Sequence, residues 1–181
     1  TGELGYEIFC DSHDALEIWD AVMAAGEPHG LVPMGGMALE MLRIEAGLMI
    51  AGAEFGPDVD AIESGLGFSV DFKKADFIGR AALERNAAAP RRKLVGLHLT
   101  GNEAPAHGDP VFVGREQVGV ITSGCSSPHF GHAIAMARVA VENSEIGGTL
   151  EVGKLDGHMK RLPATIVGLP FMDPKREKAR I

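Results

Sequence analysis

A chain of 181 residues with 45% hydrophobic and 23% charged residues has the make-up of a folded globular protein with one ordinary domain or two small ones, and it is neither disordered nor fibrous. No uncharged apolar run approaches the ~18 residues a membrane-spanning helix needs. The net charge of −8 is divided unevenly: residues 1–70 carry 13 acids and one base, Arg43, whereas residues 71–181 carry 12 acids and 16 bases, so only the basic tail suits a polyanion and a general nucleic-acid binder is excluded.

In chain order, Tyr6–Cys10 alternates like a short strand, after a turn-like Thr1–Gly5. Asp11 stands where a helix cap would, and Leu16, Trp19 and Met23 recur at helical spacing, which predicts a helix over 12–25 ended by Gly26. A second helix is expected over Met37–Ala46, stopped by Gly47 and packed on the same sheet as the first. Gly67–Phe72 reads as a strand and Ile78–Arg85 as a short helix. Asn86–Arg92 is small, polar and then basic, and is the candidate linker.

Beyond residue 92 the apolar period changes to two. Leu94–Leu99, Pro110–Val113, Gln117–Thr122, Ala133–Val139, Thr149–Leu155 and Lys160–Val167 predict six short strands, hence a small barrel. Gly114-Arg115-Glu116 and Asp156-Gly157 read as hairpin turns.

Chemistry-bearing patterns are sparse. Cys10 and Cys125 have no CxxC or His-spaced companion, which argues against a disulfide framework or a zinc site and for a reducing cytoplasm. The His129/His132 pair lies in a Gly/Pro turn that does not hold two ligands on one helical face, so a solvated turn is expected and no metal. His13, His29, His98, His107 and His158 are scattered, without a nucleophile elbow. Ser123–Ser127 is expected in a barrel loop with Cys125 as an inert thiol, and no phosphate-binding glycine loop is present. Glu7 in its strand faces either solvent or a polar ligand, and Arg43 with Glu45 reads as an ion pair fixing the turn at Gly47.

Five motifs carry a resemblance. Thr1-Gly2-Glu3-Leu4-Gly5-Tyr6-Glu7-Ile8, Leu42-Arg43-Ile44-Glu45-Ala46-Gly47-Leu48, Glu63-Ser64-Gly65-Leu66-Gly67-Phe68, Asp76-Phe77-Ile78-Gly79-Arg80 and Val118–Pro128 follow the order and spacing of the second half of the glycine-cleavage T-protein (aminomethyltransferase) family.

The resemblance implies an α+β fold: residues 1–86 as the C-terminal part of a folate-binding α/β region of a three-lobed cloverleaf, cut at its start, then a β-barrel over 92–181. It implies tetrahydrofolate as the cofactor and one-carbon transfer from an aminomethyl donor, with the lipoyl-carrying H protein as a partner and no nucleic acid or membrane. By the same resemblance Glu7 binds the pterin edge, Tyr6 is a wall beside it, and Lys73 and Lys74 lie near the folate tail, where they otherwise read as solvated surface lysines. A carboxylate suits the pterin because it accepts two parallel N–H bonds from an aminopyrimidine.

The family's catalytic aspartate lies upstream of this chain, so none of these residues is assigned as catalytic and the chain alone is expected to be inactive. A family arginine is replaced by Leu39. That substitution resembles folate-dependent demethylases and the T-protein-like domains of sarcosine and dimethylglycine oxidases, and leaves the donor open. A non-catalytic folate-binding module is the remaining alternative.

Overall fold

The computed structural model describes residues 1–157, 160–175 and 177. Its second half is a closed antiparallel barrel of six strands, β1 (Arg92–Leu99), β2 (Pro110–Val113), β3 (Glu116–Ser127), β4 (His132–Ala140), β5 (Thr149–Gly153) and β6 (Arg161–Val167). Around the ring the order is β1-β4-β3-β2-β5-β6, and β6 pairs with β1 to close it. All six expected strands are present. Inward-facing Val95, Leu97, Leu99, Ala133, Ala135, Ala137, Val139 and Ile166 belong to one buried cluster that fills the interior. Gly114-Arg115 makes the tight β2–β3 turn, with Gly114 at a φ of 59°. Asp156-Gly157 instead belongs to a seven-residue connection, because β5 ends at Gly153 and β6 starts at Arg161. His158 and the tail residues Arg176, Lys178 and Arg180 lie outside the described residues.

β1 and β4 are apolar on both faces for a physical reason: the barrel interior takes one face and a helix takes the other. Leu94, Ile134 and Met136 point outward and form a second buried cluster with Ile44 and Cys125. The helix is α2 (Gly36–Glu45), among the described residues the only one of three α-helices with buried residues, Arg43, Ile44 and Glu45. At its end Gly47, at a φ of 61°, reverses the chain; its N–H donates to Ile44 O and that of Leu48 to Arg43 O. A side chain there would also meet Pro170 Cα at 2.8 Å.

β3 is longer than its apolar pattern implies. It runs on through Ser127, so Ser123–Ser127 is strand and not loop. The register opposes Ile121 to Ala137 and Ser123 to Met136, leaving Thr122 as an extra residue whose hydroxyl donates to Met136 O at 3.1 Å. This bulge reverses the alternation. Ile121 points into the barrel, while Ser123, Cys125 and Ser127 turn outward toward α2.

The first half departs further from expectation. Tyr6–Cys10 is exposed and has no regular secondary structure, and it pairs with no strand among the described residues. Helix α1 (Ala15–Gly26) forms as expected, yet none of its residues is buried, so it does not share the packing of α2. Gly67–Phe72 is not a strand: Gly67–Ser69 is a 3-10 turn held by Ser69 Oγ donating to Leu66 O at 2.7 Å. Helix α3 (Arg80–Ala88) starts after Gly79 and runs into the expected linker, which shrinks to residues 89–91.

Leu97 is completely buried inside the barrel. Replacing it with Ala leaves a cavity in a closed wall that cannot collapse, and urea denaturation is expected to show a loss of about 2–5 kcal/mol.

Candidate functional site

Three straps join the first half to the outside of the barrel, and the family-like motifs supply them. In the first, Arg43 Nη1 donates to Glu54 Oε2 at 2.9 Å and to Leu48 O at 3.2 Å, and Nη2 donates to Ser123 Oγ at 2.7 Å and to Glu40. Ser123 Oγ in turn donates to Glu54 Oε1 at 2.5 Å, and the Ile50 N–H donates to Glu54 Oε2 at 3.0 Å. Glu54 is fully buried. Burial alone would lower the Arg43 pKa, but Glu40 and Glu54 outweigh it and raise the guanidinium above its ordinary value.

The expected Arg43–Glu45 ion pair is therefore not what forms. Arg43 faces Glu54 and Glu40, while Glu45, one residue past Ile44, takes the Ser127 hydroxyl as a second strap. Ser127 Oγ also accepts from the Phe130 N–H at 3.1 Å. The third strap is Glu63, which accepts from Arg92 Nη2 at 2.8 Å and Nε at 3.1 Å and whose carbonyl accepts from the Leu94 N–H. Arg138 donates to Glu54 O at 3.2 Å between these straps; burial and the neighbouring Arg92 pull its pKa down against Glu63 and Glu54.

A cavity of about 460 Å³ opens beside the first strap, lined by Glu40, Arg43, residues 50–53, residues 105–107 and Thr122–Gly124. Within it His107 Nδ1 must donate to Thr122 O at 2.8 Å, since a carbonyl only accepts; in the neutral ring this leaves Nε2 as an acceptor. Cys125 lies under the seam. Burial and the nearby Glu45 push its thiol up to about 11, which fits an inert thiol.

The ligand residues expected from the sequence lie elsewhere. Tyr6, Glu7, Lys73 and Lys74 are all exposed, and among the described residues no hydrogen bond or ion pair joins their side chains to one another. The cavity at the seam is not theirs. Leu39 is half exposed and carries no charge. Asp11, His13 and Asp14 bring three ligand atoms within 4.8 Å of one another, on an exposed turn where His13 already pairs with Asp14.

Two family models match, the GCVT N-terminal domain over residues 1–74 and the glycine cleavage T-protein C-terminal barrel domain over residues 92–173. The chain belongs to the glycine cleavage T-protein family. It is 52% identical over 182 residues to a trimethylamine-oxide aldolase from Ruegeria pomeroyi, which covers 99% of this chain and 23% of that protein. It is 41% identical over 173 residues to the aminomethyltransferase of Bacillus subtilis, covering 94% and 47%. The aminomethyltransferase of Bartonella henselae superposes with a TM-score of 0.77 at 28% identity, over 87% of this chain and 43% of that one. The chain thus spans about half the length of the aminomethyltransferases it matches and about a quarter of the aldolase.

Sequence reasoning missed Glu54 and Ser123. One signal was available for Glu54: a single arginine among 13 acids, on an apolar helix face, demands a buried carboxylate. Ser123 depends on a bulge that no apolar pattern announces.

Removing one member of the strap should cost more than its own bonds. Glu54→Gln is expected to destabilise by about 3–5 kcal/mol and Ser123→Ala by about 1–3 kcal/mol, read from urea unfolding. The double variant should lose less than their sum; additive losses would show that Glu54 and Ser123 do not act as a unit.

Proposed function

We propose that this chain is the C-terminal portion of a tetrahydrofolate-dependent one-carbon transferase, with residues 1–86 contributing to the folate-binding region and residues 92–181 forming the barrel domain. The reading rests on the family membership, and on Glu7, whose exposed carboxylate has no hydrogen-bond or ion-pair partner among the described residues and suits a planar pair of N–H donors. Bound tetrahydrofolate supplies the nucleophilic nitrogens that accept the one-carbon unit. Glu7 holds and orients the pterin edge, Tyr6 flanks it, and Lys73 and Lys74 face the anionic tail. In this reading the proton-handling carboxylate comes from outside the chain.

Exposed Leu4, Tyr6, Ile8, Phe9, Leu16, Trp19 and Met37 support the domain assignment, since so much apolar surface is the mark of an interface. The setting is the cytoplasm, with folate as the small-molecule partner. For an aminomethyl donor the macromolecular partner is the lipoyl-carrying H protein.

A second reading concerns the donor. The 52% identity to a trimethylamine-oxide aldolase and the aliphatic Leu39 both favour a methylated amine over a lipoyl-bound aminomethyl group. Comparing formation of methylene-tetrahydrofolate from each donor separates the two. Folate binding with neither turnover would favour a non-catalytic module.

In a polypeptide carrying both halves of the family's fold, Glu7→Ala should remove a charge-assisted contact of about 1.5–3 kcal/mol. Titration calorimetry should then show tetrahydrofolate bound roughly ten- to a hundredfold more weakly. Unchanged affinity would remove Glu7 from the site. The 181-residue chain by itself is expected to transfer neither group, and steady turnover by it would overturn the assignment of the acid to another segment.

A further inference from the structure

His132 opens β4, and its Nε2 lies 2.8 Å from Nδ1 of His98 on β1. Residues 128–131 are the expected turn, with His129 exposed, but His132 lies beyond it and has a partner from a strand 34 residues away. His98 also meets Phe130 edge-on at 5.2 Å and Phe171 at 5.8 Å between ring centroids. Phe171 occupies a socket on the same face of β1. Gly96, two residues before His98, leaves room for its ring, where a Cβ would come within 2.8 Å of Phe171 Cε1. The Met172 N–H then donates to Glu45 O at 3.3 Å, tying the segment to α2.

We propose that His98 and His132 share one hydrogen as a pH-sensitive latch, which seats Phe171 and Met172 against the outer face of β1 and releases them when both rings are protonated. A nitrogen–nitrogen distance of 2.8 Å holds a single hydrogen: one ring donates and the other accepts. The neutral pair already holds that hydrogen, and one proton from solvent leaves an imidazolium donating to an imidazole; a further proton sets two N–H groups and two positive charges against each other in a half-buried aromatic box, and the rings must part. Moving His98 removes one wall of the Phe171 socket.

The charged and titratable groups around the pair are already engaged. From α2, Glu45 is engaged by Ser127, and Arg43 by Glu54 and Glu40. From the turn after β3, His129 lies against the Phe130 ring. Glu103, in the loop after β1, pairs with Lys160 and Lys154. β3 presents Ser127 opposite His132, and β6 presents Thr165 opposite His98. In the tail, the Asp173 carboxylate accepts from the Glu177 N–H. Burial, and then His132, hold His98 below the ordinary imidazole value. The folded pKa is depressed, so the latch is closed above the unfolded value of about 6.5 and weakens as pH falls through it toward the lower folded value.

Amide exchange at Met172, corrected for intrinsic rate, tests this in the intact chain. Between pH 7.5 and 5.0 it should accelerate severalfold, in the direction that the depressed His98 value sets. In His132→Gln, whose amide can accept from a protonated His98, exchange should stay slow at both pH values. Protection that does not change with pH in the unaltered chain, or an unaltered pH dependence in the variant, overturns the proposal. Should the variant fail to fold, histidine side-chain NMR of the unaltered chain decides: two separated, mutually dependent titrations support the shared proton, and two independent titrations near the ordinary value overturn it.

Discussion

The buried carboxylate of Glu54 fixes how the two parts of this chain meet. It receives Arg43 from α2, the hydroxyl of Ser123 from the barrel and the N–H of Ile50 from its own turn, so both its oxygens accept hydrogen bonds where no water reaches. Burying a charged pair costs several kcal/mol per ion, and the ion pair together with the added hydrogen bonds from Ser123 and Ile50 offsets that cost. A hydrophobic seam of equal area would tolerate sliding. This one does not, because a shift of one residue in β3 takes the hydroxyl out of reach.

The glycine, serine and acidic residues of the family-like motifs acquire a physical meaning from that seam. Arg43 and Glu45 belong to one motif, Glu63 to another, Ser123 and Ser127 to a third, and each pairs across the boundary between the helical half and the barrel. The resemblance that points to one-carbon chemistry is carried largely by residues that assemble the fold. Glu7 and its neighbours stand apart from them on an exposed segment.

How much the sequence disclosed follows from the range of the forces involved. The six strands were legible because alternation and turn residues are local. Helix α2 was legible from its apolar face and from Gly47. The strand expected at Tyr6–Cys10 failed because a strand needs a neighbour, which no local pattern supplies. The Arg43–Glu45 pair failed because sequence proximity was taken for proximity in space; two residues apart on a helix, their side chains leave on different sides. The small polar residues of Ser123–Ser127 resemble a loop until the bulge at Thr122 turns Ser123 and Ser127 toward partners 69 and 82 residues away.

Alanines at 133, 135 and 137 line the inside of β4, and the side chains of the opposite strands close over them. So narrow a bore is solid. Nothing the size of a pterin passes through it or rests in it, and whatever molecule this protein handles must touch the cylinder from without. The barrel is a buttress rather than a vessel, and changes within its bore should alter how firmly the neighbouring half stands, while leaving untouched which compound that half prefers.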